Sequence, residues 1–246
     1  MKALISCFLL LASAQAQMMG PGAVVGVARY PKPAGSVASA GGGGGGIVFD
    51  VLSSSTATDP SITHPQGSLT SGYVLIIAGY TFSAATSGAT ATYDGTSATE
   101  IATFSQASFY HIKIFYRDLG TLGSGNKTAT VSHTDAITSA LTTVLTYSGV
   151  KQGGGFTVGQ NGAFADPQSL PLATTSASEL VVGGILVNAT AANTTPDGTQ
   201  YNEDGSAGVT YNNQWKPGTG STVTLNWDLD AATHAAYVGV VMQPAP

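Results

Sequence analysis

Apolar and β-branched residues recur along this chain in short runs, separated by Gly, Asn, Asp, Ser and Pro. Gly72 to Tyr80 (GYVLIIAGY) and Glu179 to Asn188 (ELVVGGILVN) are almost continuously apolar, the pattern of central strands covered on both faces. Phe109 to Arg117 alternates, with Tyr110, Ile112, Ile114 and Tyr116 on one face and Phe109, His111, Lys113 and Phe115 on the other. Lys127 to His133 alternates too, setting Thr128, Thr130 and Ser132 outward against Ala129 and Val131. Thr138 to Val150 has apolar residues at helical spacing, but Thr138, Thr142, Thr143 and Thr146 are β-branched and costly in a helix, so it reads as a strand.

Further strands are predicted at Ile47 to Ser54, Ala89 to Tyr93, Ala98 to Phe104, Ser169 to Ala173, Val209 to Asn212, Thr222 to Trp227 and Ala235 to Met242. Asp94-Gly95 marks a hairpin turn. The stretch through Asp197-Gly198 and Asp204-Gly205 reads as a polar loop. Many short strands with turn punctuation and no convincing helix predict an all-β fold, a two-sheet β-sandwich of jelly-roll or immunoglobulin-like type over residues 47–246.

The N-terminal residues differ from the rest. Lys2, the apolar run Ala3 to Leu11 and the small-x-small triplet Ala14-Gln15-Ala16 have the layout of a secretory signal peptide over residues 1–16, cleaved before Gln17. The run is too short to span a bilayer, and Cys7 sits inside it rather than at the cleavage point, which argues against a lipid anchor. Residues 17–46 form a Pro/Gly-rich extension ending in the six glycines Gly41 to Gly46, a composition that predicts a flexible tether. Within it, Ala23 to Tyr30 (AVVGVARY) is strand-like at Val24, Val25 and Val27, and is a candidate for docking on the edge of a sheet, this chain's or a neighbour's.

Composition sharpens the compartment and narrows the partners. Cys7 is the sole cysteine, so a chain cleaved before Gln17 carries no thiol and no disulfide. Charged residues make up 9% of the chain, where ordinary soluble domains carry about 25%. The net charge of −5 argues against nucleic acid or an anionic membrane as partner. Secretion to the extracellular space or cell surface is the expected location.

GYVLIIAGY, the pair NKTATVSH and TTVLTYSGV, the later SASELVVGGI and the closing HAAYVGVVMQP together resemble a β-sandwich module. Modules of this kind occur in secreted proteins of environmental bacteria and in some phage structural proteins. The resemblance covers roughly Ile47 to Pro244 and rests on packing patterns. It implies fold and location; the family has no settled activity, and no catalytic residue carries over.

Candidate chemistry is sparse. His64, His111, His133 and His234 have no metal-ligand spacing, and neither a G-x-S-x-G elbow nor a P-loop is present. A glycoside hydrolase would need two carboxyls across a cleft, yet Glu100, Glu179 and Glu203 do not sit mid-strand among aromatics. Asp197, Glu203 and Asp204 crowd one stretch, and Asn226, Asp228 and Asp230 alternate along another; either group could take calcium, although neither has the twelve-residue calcium-loop pattern. No other cofactor is implied. Tyr201, Tyr211 and Trp215 are candidates for an exposed stacking platform for a sugar, whereas Trp227 reads as core.

These features favour a non-enzymatic structural or adhesive surface module, a subunit of an extracellular assembly or filament whose partners are further copies or other surface proteins. The rival is a carbohydrate-binding module using the Tyr/Trp stretch, and a glycoside hydrolase comes last.

Overall fold

The computed structural model describes residues 46–82, 88–106, 110–188, 194–206, 209–230 and 232–246. The expected leader, most of the tether and the Val24, Val25 and Val27 segment lie outside the described residues. The described chain is all-β and antiparallel. Its first strands are β1 (Val48–Ser55), β2 (Ser61–Gln66), β3 (Leu69–Phe82), β4 (Ala89–Tyr93), β5 (Thr96–Ser97), β6 (Thr99–Gln106), β7 (Tyr110–Leu122), β8 (Gly125–His133) and β9 (Ile137–Ser148). Then follow β10 (Thr157–Ala165), β11 (Gln168–Ala173), β12 (Leu180–Val187), β13 (Thr194–Pro196), β14 (Thr199–Ser206), β15 (Val209–Pro217), β16 (Thr222–Leu229) and β17 (Thr233–Met242).

These strands form four sheets rather than the expected two. In packing order they are sheet I (β2-β8-β4-β5), sheet II (β1-β9-β3-β7-β6), sheet III (β10-β17-β12-β15-β14) and sheet IV (β11-β16-β13). One core lies between I and II, where Val74, Ile76, Phe115 and Val144 meet Ile62, Tyr93, Ala129 and Val131. A second lies between III and IV, where Val181, Ile185 and Val241 meet Leu170, Leu172, Leu225 and Trp227. The third and largest joins the two pairs of sheets, setting Tyr73, Leu75, Ile114, Leu145 and Tyr147 of sheet II against Val182, Leu186, Val238, Val240 and Met242 of sheet III.

Sheets II and III are therefore buried on both faces, which is why β3 and β12 are apolar at nearly every position. Each fully buried aliphatic side chain contributes roughly 1.5–3 kcal/mol, so both alternating faces of these strands hold the fold. The ambiguous segment ending at Tyr147 is the strand β9, with Leu141, Leu145 and Tyr147 facing one core and Ala140 and Val144 the other.

The two halves repeat one strand order. Sheet II reads β1-β9-β3-β7-β6, and sheet III reads β10-β17-β12-β15-β14. Sheet I reads β2-β8-β4 before the two-residue β5, and sheet IV reads β11-β16-β13. Each strand of the first half but β5 thus has a counterpart, in sequence order, in the second. Side chains follow the correspondence. When Tyr73, opposite Tyr147, is set on Leu180, opposite Met242, Tyr116 falls on Trp215 and Arg117 on Lys216. The expected two-sheet sandwich occurs as a pair of such units, stacked through the central core.

Local chemistry sets the turns. Asp94 and Gly95 both have positive φ, at 51° and 71°, as a two-residue hairpin of matching twist requires. At Gly79 a Cβ would come within 2.6 Å of the Tyr211 ring, so only glycine lets sheets II and III approach there. Val150 and Pro244 form a β-bridge, with Lys151 N–H on the Gln243 carbonyl at 2.9 Å and Ala245 N–H on the Gly149 carbonyl at 2.8 Å. The last residues are thereby pinned to the link between the halves.

Candidate functional site

Two of the three stacking-platform residues are buried, and the third lies at the rim of a core. The stretch read as a polar loop through Asp197-Gly198 and Asp204-Gly205 contains the strand β14, which pairs with β15, and Trp215 stands on β15 opposite Val182 and Thr199. Tyr201 is 5% exposed and Tyr211 is 2% exposed. Tyr201 packs tilted against Phe49 at 5.1 Å and takes a 2.9 Å hydrogen bond from the Tyr147 hydroxyl. Tyr211 lies under Gly79 with its hydroxyl 3.4 Å from Ser139 Oγ. Trp215 is half-buried at the rim of the same core, 6.5 Å from the Tyr201 ring. The three aromatics pack in or against the core that joins the halves, because sheet II covers the face of sheet III on which they sit. Burial pushes the Tyr147 and Tyr201 hydroxyls well above the ordinary tyrosine range, so both stay protonated.

Of the carboxylates considered for calcium, Asp197 is already engaged. Its Oδ2 accepts from Lys216 Nζ at 2.6 Å and from Asn226 Nδ2 at 2.6 Å, and its Oδ1 accepts from the Asn226 backbone at 2.9 Å. Burial raises its pKa, but the Lys216 ammonium and the Asn226 bonds outweigh that and hold the carboxyl below its usual range. Asp197 pins β16 to the β14–β15 hairpin. The side chains of Glu203 and Asp204 lie outside the described residues. Asp228 and Asp230 are exposed on and beyond β16. Among the described residues no group of three His, Cys, Asp or Glu side chains is placed to hold a metal ion.

Two of the histidines pack on one tyrosine ring. His111 stacks on Tyr80 at 5.4 Å, and His133 meets the same ring edge-on at 4.6 Å. His133 Nδ1 lies 3.2 Å from Asp59 Oδ1, and His234 packs beside Phe164. His64 is fully buried between sheets I and II, with Nδ1 3.0 Å from Ser53 Oγ and Nε2 3.0 Å from Thr146 Oγ1. Thr146 in turn donates to Asp50 Oδ2 at 3.0 Å. This Ser-His-Thr-Asp chain has catalytic residue types, yet Ser53 is only 2% exposed and His64 is fully buried. Burial lowers the His64 pKa to about 4, so it is neutral at pH 7. The network was hidden in the sequence, where Ile62, His64 and Gln66 alternate inward and two of the three are polar.

A groove of about 670 Å³ opens where the ends of the halves meet, lined by Ser71, Lys151, Gln152, Ser176, Glu179 and Gln243 among others. The one carboxylate side chain among its described lining residues, Glu179, is 2% exposed. It accepts from Thr175 N–H at 2.6 Å, Thr175 Oγ1 at 2.8 Å, Ser176 N–H at 3.3 Å and Gln243 Nε2 at 3.3 Å. A carboxylate so fully engaged holds the turn before β12. No known protein family, curated protein or solved structure matches the chain.

Proposed function

We propose that this chain is a secreted, non-enzymatic structural or adhesive module that serves as a subunit of an extracellular assembly. The observation that carries the reading is the four-layer stack itself. Two sheets buried on both faces make a rigid body, and Tyr201, Tyr211 and Asp197 are engaged in holding that body together. A tether of the composition of residues 17–46 would let Val24, Val25 and Val27 reach a neighbour's sheet edge. We read each half as a jelly roll, because eight principal strands in two sheets repeat the same order in both. The glycan reading loses its basis with Tyr201 and Tyr211 inside the core.

Electron microscopy of the exported protein, with and without residues 18–46, tests the proposal. Ordered oligomers or filaments of the full chain are expected, with the filament lost on deletion. A full-length protein that stays dispersed and monomeric at high concentration, or that turns over a glycan, would remove the reading.

A further inference from the structure

A sheet edge presents unpaired N–H and C=O groups, and natural proteins blunt such edges with bulges, prolines, charges or extreme shortness. Among the described residues the four sheets have eight edge strands. β1, β6 and β14 each carry a register shift. β2 contains Pro65 and β11 contains Pro171, β5 has two residues, and β13 has three, ending in Pro196.

β10 has none of these devices. Its nine residues, TVGQNGAFA, hold neither charge nor proline, and all nine pair with β17 without a bulge. It also bears two of the three large apolar side chains exposed among the described residues, Val158 at 42% and Phe164 at 64%.

We propose that β10 is the contact between two copies of this chain, paired antiparallel across a two-fold axis at Asn161. The strand's own phase sets the register. Gly162 donates its N–H to Asn161 Oδ1 at 2.8 Å rather than to β17. Residues 158, 160, 162 and 164 therefore turn their backbone groups outward, and outward residues must meet outward residues. Of the registers that allow this, the one centred on Asn161 overlaps the full strand. It sets Val158 opposite Phe164 of the second copy, and Gln160 opposite Gly162. The two exposed apolar residues thus cover each other, twice, as an aromatic and β-branched cross-strand pair. No like charges meet, because the strand has no charge at all. The contact is isologous and closes, as two-fold interfaces do, and it joins the two copies of sheet III into one continuous sheet. It extends the assembly reading by naming a partner, and it does not use the tail.

Sedimentation of the full-length protein tests it with two double variants that differ in one sign. Val158→Lys with Phe164→Lys sets like charges opposite each other across the axis and is expected to weaken association by about tenfold or more. Val158→Lys with Phe164→Glu sets opposite charges there and is expected to remain dimeric. Within one copy the two positions are six residues apart on an extended strand, so they pair only across the axis. Both side chains are exposed, and circular dichroism checks that both variants keep the sheet. A monomeric wild type, or two variants that associate equally, would overturn the contact. Deleting residues 18–46 should leave this dimer intact even where it abolishes a filament, so the two ideas fail separately.

Discussion

The Tyr147 hydroxyl donates to the Tyr201 hydroxyl at 2.9 Å, and this buried bond runs from β9 in the first half to β14 in the second. Phe49 packs on both rings, at 5.7 and 5.1 Å. The bond ties sheet II to sheet III within their shared apolar core. Tyr147→Phe leaves the Tyr201 hydroxyl buried without its donor, and should cost about 1–2 kcal/mol. Thermal unfolding reads this as a lowered Tm for the whole molecule. A loss confined to one half would contradict the role of the pair.

Tyr201 and Tyr211 separate a packing role from a ligand role. Each replaced by Ala should destabilise by about 3–5 kcal/mol, the range for deleting a buried ring. Denaturant midpoints check this. A variant that keeps its midpoint but loses binding on a glycan array would restore the sugar platform.

Acid should weaken the fold through His64. Its folded pKa of about 4 lies below the ordinary histidine value, so between these two pH values the unfolded chain binds more protons than the native one. Stability from the neutral imidazole is present above pH 6.5 and is lost as pH falls towards 4. The full effect is on the order of 3 kcal/mol. Urea midpoints measured from pH 7 to 4 should fall, and His64→Gln should flatten that segment of the profile. Equal slopes in both proteins would place the titrating group elsewhere.

The strands buried on both faces were the legible part of the sequence. GYVLIIAGY and ELVVGGILVN announce β3 and β12 because every position from Gly72 to Tyr80 and from Leu180 to Val187 is buried. That continuous pattern, occurring twice, is also the trace of the stacking, although alone it does not say that two sandwiches share a core. β2 went unseen because His64 and Gln66 occupy inward positions. β10 went unseen because Gly159 and Gly162 break its alternation. A Cβ at Gly159 would come within 2.8 Å of Leu172, and one at Gly162 would strike Phe104, so close neighbours account for both glycines. β15 runs past the predicted Val209 to Asn212 because Asn213 and Gln214, polar residues that read as the start of a loop, are buried. Asn213 donates to Thr143 at 3.0 Å and Gln214 to the Asn226 carbonyl at 2.8 Å, so partners replace water.

Val181→Asp should unfold the protein. Val181 is fully buried between sheets III and IV, and an unpaired carboxylate there costs several kcal/mol, comparable to a domain's whole net stability. Gly79→Ala is the milder test of the central core, expected to cost about 1–3 kcal/mol by forcing the Tyr211 ring aside. A native Tm for either variant would contradict the packing at that position.

Two like-ordered sandwiches sharing one core should melt as one unit. Differential scanning calorimetry of the full chain tests this most directly. A single transition is expected, with equal calorimetric and van't Hoff enthalpies. Two resolved transitions, or a calorimetric enthalpy near twice the van't Hoff value, would mean that the halves fold independently and that the core between sheets II and III does not bind them into one body.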